Sequence, residues 1–357
     1  MYIKEISLKD FRNYDNQTIN LDKNINIIYG NNAQGKTNIL EAIFLCAYGK
    51  SFRAKKDSEL IKFNKENSIV DISYKRIDRQ GNIKAEIKEK KTFFINEIKQ
   101  SKVSDIIGKI NVVIFTPDDI DIIKDGPQRR RKFLDMLISS LRPNYIHLLN
   151  LYNKTLEQRN NYLRQIKSEN KNPNMLEVWD EQLSEYSYKI YEYRKYFVEK
   201  ISEKIEVIHN SITKSGKESI KIKYISNSKD KNSFLENLKK SRDIDIKRGF
   251  TAIGVHRDDF IIYIDNKPVS SFGSQGQQRT SVLTLKLCEQ EIIKEEIGET
   301  PILLLDDFMS ELDETRRRSF LENITGSQVI ITCTDKINIR EKGKVFFVKS
   351  GTLVEES

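Results

Sequence analysis

Residues 30–37 limit the possible folds of this chain more than any other segment does, because they fit the pattern Gly-x-x-x-x-Gly-Lys-Ser/Thr. The segment consists of Gly30, Asn31, Asn32, Ala33, Gln34, Gly35, Lys36 and Thr37. Residues 25–29 before it predict a short buried strand, and residues 36–48 carry apolar side chains at helical spacing. A strand, a glycine-containing loop and a helix N-terminus in this order form the phosphate site of P-loop proteins. The sequence therefore predicts an α/β fold that binds a nucleotide.

Each part of this loop has an expected role at the nucleotide. The glycines let backbone N–H groups approach the phosphates closely, so the whole of residues 30–37 is predicted to bind ATP. Lys36 is expected to bridge the β- and γ-phosphates, and the Thr37 hydroxyl to ligate Mg²⁺. The alternative is a glycine-containing turn without a nucleotide, and the flanking strand and helix disfavour it.

A second acidic motif follows a buried-strand pattern near the C-terminus. Residues 302–305 are all apolar and are followed by Asp306 and Asp307, as in a Walker B motif. A strand that ends in carboxylates places them at the carboxyl edge of the sheet, beside the phosphates. Asp306 is expected to hold Mg²⁺ through water, and Asp307 to polarise the attacking water as the catalytic base. Solvated acids at a strand end are the alternative, which the P-loop disfavours.

Residues 272–279 resemble the signature loop of ABC-type ATPases. Ser274 is placed to cap a helix, and backbone N–H groups from Gly276 onward are left for an anion. Such a loop can bind the γ-phosphate of ATP held by a second subunit, which assigns Ser274, Gln275, Gly276 and Gln277 to the nucleotide and makes Ser274 and Gly276 catalytic candidates. Residues 310–313 match the D-loop at the same interface. A merely well-capped helix is the alternative.

The middle of the chain predicts long helices. Pro127 and Pro143 each open a helical stretch, and apolar residues between 176 and 208 recur at heptad spacing. Together they predict an antiparallel helical hairpin over residues 125–211, inserted between head segments 1–124 and 212–357. A projecting arm is favoured over an ordinary two-helix element of the core, because the opposite faces are dense in charged residues.

The charge of the chain bears on its partners. The net charge of +9 points only weakly to a polyanionic partner, because both signs are abundant. A run of cations, Arg129, Arg130, Arg131 and Lys132, opposes the dipole at the start of a predicted helix. Pairing with Asp119, Asp121 or Asp125 and contact with DNA phosphates are both open explanations.

The remaining composition predicts a cytoplasmic protein. Three cysteines without Cys-x-x-Cys spacing predict reduced, buried thiols, and no apolar run is long enough to cross a membrane. The charged N-terminus does not fit a signal peptide.

Short stretches along nearly the whole chain match one family. They are residues 11–14, 30–37, 49–53, 115–119, 126–127, 130–131, 133–135, 254–259, 272–279, 306–307 and 310–313. On these motifs the chain resembles the RecF family of bacterial recombination-mediator ATPases, which is related to the heads of SMC-type chromosome proteins.

The resemblance implies an ABC-type, SMC-like head with an N-terminal antiparallel β subdomain and an inserted antiparallel helical arm. It further implies a weak DNA-dependent ATPase that forms a homodimer on ATP and binds duplex DNA and single-strand/duplex junctions. The implied role is gap repair, replication restart and SOS induction, with RecO and RecR as partners. Arg12 would approach the nucleotide, and Arg53 would link DNA contact to hydrolysis.

The sequence also departs from transporter ATPases of the ABC type. No switch histidine follows the predicted strand 329–332, where Thr334 or Asp335 stands instead, and Asp118 and Asp119 fall where a Q-loop glutamine would be. We therefore expect slow hydrolysis. An ABC-type ATPase subunit of another assembly is the alternative; a nuclease of the overcoming-lysogenization type and a small-molecule kinase are disfavoured.

Overall fold

The computed structural model describes residues 1–169, 171–213, 218–308, 326–336 and 343–356, together with single positions 317, 319, 320, 322 and 324. The chain divides into two compact units. Unit 1 comprises Met1–Asp119, Ser211–Lys214 and Lys286–Ser357, and unit 2 comprises Ile120–Asn210 and Ser215–Leu285.

In chain order the elements are β1 (Tyr2–Phe11), β2 (Tyr14–Asn20), β3 (Ile25–Tyr29), α1 (Lys36–Tyr48), β4 (Ser68–Lys75), β5 (Gln80–Ile87), β6 (Lys91–Ile95), β7 (Ile98–Lys99), β8 (Val112–Phe115), α2 (Asp121–Lys124), α3 (Pro127–Leu141), α4 (Pro143–Glu169), α5 (Leu176–Thr213), β9 (Ile220–Ile225), α6 (Lys231–Arg248), β10 (Asp259–Ile264), β11 (Lys267–Pro268), α7 (Val269–Phe272), α8 (Gln275–Ile297), β12 (Ile302–Asp306), β13 (Val329–Cys333), β14 (Gly343–Lys349) and β15 (Thr352–Glu356).

A mostly parallel sheet forms the centre of unit 1. Its strand order is β15-β14-β3-β13-β12-β8, and every pair is parallel except β14 with β15. Strands β8, β12 and β13 are buried throughout, as expected for parallel strands covered on both faces. The predicted strands and the helix after the glycine-containing loop are confirmed.

The second sheet of unit 1 is antiparallel. Its order is β2-β1-β4-β5-β6-β7. Burial alternates along β4, which is typical of a sheet with one face in the core. This sheet confirms the predicted N-terminal antiparallel β subdomain.

Unit 2 contains the predicted helical hairpin. Tyr145, early in α4, packs edge-on against Tyr193, midway along α5, with ring centroids 5.4 Å apart, whereas Leu163, late in α4, packs near Leu176 at the start of α5, so the two helices run antiparallel. At the other end Leu163 and Leu176 share a small buried cluster with Trp179. That the hairpin projects as an arm stays a prediction.

Arg159 occupies the hairpin seam although the seam is otherwise apolar. Its side chain is fully buried, and its guanidinium donates to Asp180 and Asp245 at 2.7 Å each and to Thr251 at 2.8 Å. Because a buried cation is tolerated only when it is paired and hydrogen-bonded, these three partners explain its place.

Unit 2 is larger than the predicted segment 125–211. It also holds α6, which the sequence analysis did not predict, and a small sheet of order β11-β10-β9. Asp230 caps α6 by accepting from the backbone N–H of Ser233 at 2.9 Å, and Gly249 ends the helix with φ +75°. The turn before β11 has positive φ at Asp265 and Asn266, as two-residue hairpins require.

Two expectations from composition can be compared with the structure. Cys46, Cys288 and Cys333 are all buried, and none of the three forms a disulfide in the part of the chain that the structure describes. Among the described helices, none combines the length and the apolar character that a membrane crossing needs.

Candidate nucleotide-binding site

The glycine-containing loop follows β3 at the carboxyl edge of the parallel sheet. Gly30 has φ +149° and Gly35 has φ +113°, conformations that side chains with a Cβ rarely adopt. A Cβ at Gly30 would collide with the carbonyl of Val348, and one at Gly35 would lie 2.6 Å from the Asn13 amide. Both glycines are therefore required for the loop to fold as it does.

Neighbouring turns hold the loop in place. Asn13 Nδ2 donates to the Gln34 carbonyl at 2.7 Å, and Tyr14 Oη donates to the Gly35 carbonyl at 3.0 Å. On the other side the backbone N–H of Ser350 donates to Gln34 Oε1 at 2.6 Å. Asn13 and Tyr14 were not assigned to the site from the sequence, although residues 11–14 were one of the stretches shared with the family.

Lys36 extends across the inside of the loop. Its Nζ donates to the carbonyl of Gly30 at 2.6 Å and to that of Asn31 at 3.1 Å, and the residue is only 4% exposed. An ammonium held inside a ring of backbone groups is placed to exchange these carbonyls for phosphate oxygens.

Three side chains meet where α1 begins and where β12 and β13 end. Asp306 Oδ1 accepts from Thr37 Oγ1 at 2.7 Å and from Thr332 Oγ1 at 2.8 Å. Burial raises the pKa of Asp306, and both hydrogen bonds act in the opposite direction. Thr332 was not predicted as a site residue; the signal in the sequence was its position at the end of the strand beside Walker B.

This arrangement fits Mg²⁺. Magnesium is bound in nucleotide sites through one or two carboxylates, a hydroxyl, waters and substrate phosphates rather than by a cage of protein ligands. Thr37 and Asp306 supply one hydroxyl and one carboxylate in contact. The described residues hold no group of three or more acidic, histidine or cysteine side chains that would form a full cage.

Asp307 adopts a left-handed backbone conformation with φ +47°. Its N–H donates to Thr332 Oγ1 at 3.0 Å, and its side chain reaches the cavity above the loop. That cavity has a volume of about 480 Å³ and is lined by Arg12, Asn13, Asn32, Ala33, Gln34, Gly35, Lys36, Thr37, Asn38, Arg53, Glu59, Ile61 and Asp307. Arg12 and Arg53 therefore share one cavity with the loop and the second Walker B acid.

Arg12 is held by a buried carboxylate that the sequence analysis missed. Its guanidinium donates to both oxygens of Glu41, at 2.7 and 2.8 Å, and to the Glu59 carbonyl at 2.6 Å. Glu41 is fully buried on α1 and also accepts from Ser51 Oγ at 2.5 Å. The Ser51 oxygen in turn accepts from the N–H of Arg53 at 2.9 Å. Glu41 thus fixes both the arginine at the cavity and the loop that carries Arg53.

The signature loop lies at the start of α8. Ser274 Oγ accepts from the N–H of Gln277 at 3.2 Å, and Gln277 Oε1 accepts from the N–H of Ser274 at 2.9 Å. This reciprocal pair is a capping box, so the predicted cap is confirmed. Gln277 Nε2 also donates to Glu218 at 2.9 Å.

The positions that were predicted to replace the Q-loop glutamine and the switch histidine are both described. Asp119 accepts from the N–H of Thr116 at 2.7 Å, and burial raises the pKa of its carboxyl. Thr334 and Asp335 are exposed after β13. The predicted D-loop, residues 310–313, lies outside the described residues.

The cation run at the start of α3 is paired inside unit 2. Arg130 forms a two-pronged ion pair with Asp259, at 2.6 and 3.0 Å, and Arg131 donates to the Asp258 carbonyl at 2.7 Å. Arg129 is half-exposed and lies 3.6 Å from Asp121 and 3.5 Å from Asp125. Each of the three arginines therefore has an internal partner. Arg129 pairs with two of the predicted acids, whereas Asp259 and the Asp258 carbonyl, which bind Arg130 and Arg131, were not predicted.

The fold and this site together define the class of protein: an ABC-type ATPase head with an SMC-like architecture. A family model described as the RecF/RecN/SMC N terminal domain matches residues 2–352. The DNA replication and repair protein RecF of Clostridium acetobutylicum is 47% identical over 365 residues, covering 99% of this chain and 100% of that protein. The same-named protein of Acetivibrio thermocellus is 47% identical over 347 residues, covering 94% of each.

Solved structures agree. A structure of the recombination mediator protein RecF with ATP, in the RecFOR pathway, has a TM-score of 0.93 and 39% identity, covering 100% of this chain and 98% of that one. An SMC head bound to the C-winged helix domain of ScpA has a TM-score of 0.59 at 18% identity and shares the fold. The chain belongs to the RecF family.

Proposed function

We propose that this chain is an ATP-dependent DNA-binding protein of DNA replication and repair. The observation that carries the nucleotide-binding part of the proposal is the 2.7 Å contact between Thr37 and Asp306, which joins the P-loop helix to the Walker B strand. The DNA-binding part rests on the relatives. Further support comes from relatives that are 47% identical and are named DNA replication and repair proteins, and from a related RecF structure with ATP.

The nucleotide would lie along the loop of residues 30–37. Backbone N–H groups and the positive end of α1 would bind the phosphates, and Lys36 would exchange its two carbonyl contacts for the β- and γ-phosphate oxygens. Thr37 and Asp306 would hold Mg²⁺, which neutralises phosphate charge when it is bound. Asp307, which reaches the same cavity, would orient and deprotonate the attacking water.

Hydrolysis would require two copies of the chain. The N–H groups at the start of α8 and the capped Ser274 form an anion site that the first copy can offer to ATP on the second. In this arrangement Ser274, Gln275, Gly276 and Gln277 contact the γ-phosphate across the dimer interface. ATP closes the dimer, and slow hydrolysis reopens it.

DNA is the proposed partner of the closed dimer. Duplex DNA and single-strand/duplex junctions would be bound through phosphates with little base readout, and Arg53 would link that contact to the nucleotide site that it lines. The RecFOR pathway named for the related structures supports RecO and RecR as further partners. Gap repair, replication restart, SOS induction and a cytoplasmic location complete the proposal, with residues 125–211 as the arm between head segments 1–124 and 212–357.

DNA binding under nucleotide control tests the proposal. Fluorescence anisotropy of a labelled duplex and of a gapped duplex would be measured with ATP, with ADP and without nucleotide. Tighter binding with ATP than with ADP is expected, and Lys36→Ala should abolish ATP binding and this difference. An ATP-dependent dimer with no affinity for either DNA would instead favour an ABC-type ATPase subunit of another assembly.

A further inference from the structure

A contiguous group of exposed cations stands on unit 2, apart from the residues discussed so far. It consists of Arg164 and Lys167 on α4, Lys247 and Arg248 at the end of α6, and Arg257 in the turn before β10. We call these five residues the basic patch.

Direct contacts bring the three segments together. Lys167 Nζ donates to the Lys247 carbonyl at 3.0 Å, which joins α4 to the end of α6. Gly249, which ends α6, faces Arg164: a Cβ there would lie 3.3 Å from Arg164 Cγ. The Arg257 guanidinium lies over the ring of Phe250, 5.4 Å from its centroid. The five cations therefore surround one short loop, residues 249–250.

The charges of the basic patch lie close together and are not neutralised. Some exposed lysines elsewhere in unit 2 form ion pairs, such as Lys171 with Glu169 and Lys239 with Glu177. In the part of the chain that the structure describes, no member of the basic patch has a carboxylate within 4.0 Å. Each guanidinium or ammonium still has donors available.

Helix dipoles account for only part of this charge. Lys167 lies in the last turn of α4, and Lys247 and Arg248 lie in the last turn of α6, where cations are favoured by the negative end of the helix. Arg164 and Arg257 have no such role. Arg257 instead lies over the ring of Phe250, which is itself 40% exposed. This cation–π contact holds the guanidinium in place at the surface.

We infer that the basic patch is a binding surface for the phosphate backbone of DNA. The inference rests on the proposed function, because it assigns to the helical unit a DNA contact that the nucleotide site alone does not require. A run of unneutralised cations, three of them arginines suited to two-pronged phosphate contact, matches the regular negative charge of a duplex. All five members are cationic donors suited to phosphate oxygens, so the patch would contribute affinity through the DNA backbone, which carries no sequence information.

The test neutralises three of the five members of the basic patch, two on α4 and one in the turn before β10. The triple variant Arg164→Gln, Lys167→Gln and Arg257→Gln would be compared with the matched control Lys154→Gln, Lys221→Gln and Lys223→Gln. The control residues are also exposed, belong to the same unit and form no ion pair within the described residues. DNA affinity would be measured by anisotropy over a range of salt concentrations, and ATP affinity would be measured for each protein.

The patch variant should bind duplex DNA at least about tenfold more weakly at about 0.15 M salt, and the slope of log K against log salt should fall by roughly two to three, since each lost phosphate contact removes about 0.9. The control should keep most of the slope, and both variants should bind ATP normally. If the wild-type protein binds DNA and the patch variant has the same salt slope as the wild type, the inference is overturned, whereas the proposed function is not. Loss of binding to a polyglutamate peptide with unchanged DNA binding would overturn it in favour of an acidic protein partner. Failure of the wild-type protein to bind DNA would overturn both.

Discussion

Thr37 Oγ1 donates to Asp306 Oδ1 across 2.7 Å, and Thr332 Oγ1 donates to the same oxygen across 2.8 Å. Thr332 also accepts from the N–H of Asp307 at 3.0 Å, so one hydroxyl ties together both Walker B acids. Residues distant in sequence thus form a connected polar group at the carboxyl edge of the parallel sheet, which links the proposed metal ligands to Asp307, the proposed catalytic base.

Removing the carboxylate or the hydroxyl at this contact should impair magnesium-dependent nucleotide binding. Asp306→Asn and Thr37→Ala should each lose about tenfold or more of the ATP affinity that Mg²⁺ adds, because each deletes one proposed ligand. Thr37→Ser, which retains the hydroxyl, is the matched control. Titration calorimetry with and without Mg²⁺ measures the difference. If Asp306→Asn and Thr37→Ala bound ATP with Mg²⁺ as tightly as Thr37→Ser does, the assigned metal site would be refuted.

Glu41 should be required for stability as well as for the site. Glu41→Gln removes the counter-charge of Arg12 at a fully buried position, which should lower the free energy of unfolding by about 2–4 kcal/mol. We place the value below the full cost of a broken buried pair because Arg12 is partly exposed. Urea unfolding of Glu41→Gln, Arg12→Ala and the double variant gives the coupling energy. A coupling energy near zero would mean that the two residues act independently.

Neighbouring arginines of the α3 run should differ sharply in their effect on stability. Arg130→Ala leaves the carboxylate of Asp259 largely buried without its partner and should cost about 2–4 kcal/mol. Arg129→Ala removes only long, half-exposed pairs and should change stability by less than about 0.5 kcal/mol. Comparable losses from both would contradict the pairing described above. Only Arg129→Ala is then suitable for testing a contact between this run and DNA.

The sequence was sufficient for elements whose signal is local. A buried strand, a glycine-containing loop and a helix follow one another within residues 25–48, so their order alone indicated the phosphate site. The hairpin was equally clear because heptad spacing depends only on neighbours along each helix. The ion pairs of Arg159 with Asp180 and Asp245 could not be predicted, because both acids are distant from it along the chain.

The residues and elements that could not be predicted from the sequence depend on partners that are distant along the chain. Glu41 lies in an apolar helix and has a role only because Arg12, in the turn between β1 and β2, packs against it. Asp259 is far from Arg130 along the chain, whereas the acids near Arg130 in sequence were the natural candidates. Helix α6 is rich in charge and buries few apolar residues, among them Phe234 and Leu238, so its periodicity is weak. Its start and end are nevertheless marked by Asp230 and Gly249.

Acid should weaken unit 2 through His256. Its Nε2 donates to the Thr251 carbonyl at 3.0 Å and its Nδ1 accepts from Tyr152 Oη at 2.5 Å, and burial lowers the pKa of the ring from 6.5 to about 4. The unfolded chain therefore binds a proton near pH 6.5 that the fold does not bind until about pH 4. Stability is full above pH 6.5 and falls between these values, by about 3 kcal/mol from this group.

The variant His256→Gln isolates that contribution. Its free energy of unfolding should depend less on pH between 6.5 and 4 than that of the wild type, measured by urea titration at several pH values. Burial raises the pKa of Asp258 and contributes with the opposite sign, so the comparison uses the difference between the two proteins. Parallel pH dependences would show that His256 titrates normally in the fold.

The central claim is that ATP closes a dimer of this chain, which then binds DNA. Sedimentation velocity tests this claim most directly. Asp307→Asn, which should bind but not hydrolyse ATP, would be run with ADP and with ATP, each with and without duplex DNA. The account predicts a monomer with ADP, a dimer with ATP and a more stable dimer when DNA is added, whereas the Ser274→Arg variant should bind ATP and remain a monomer. A monomer under every condition, or a normal dimer of Ser274→Arg, would contradict a nucleotide site shared between two copies of the chain.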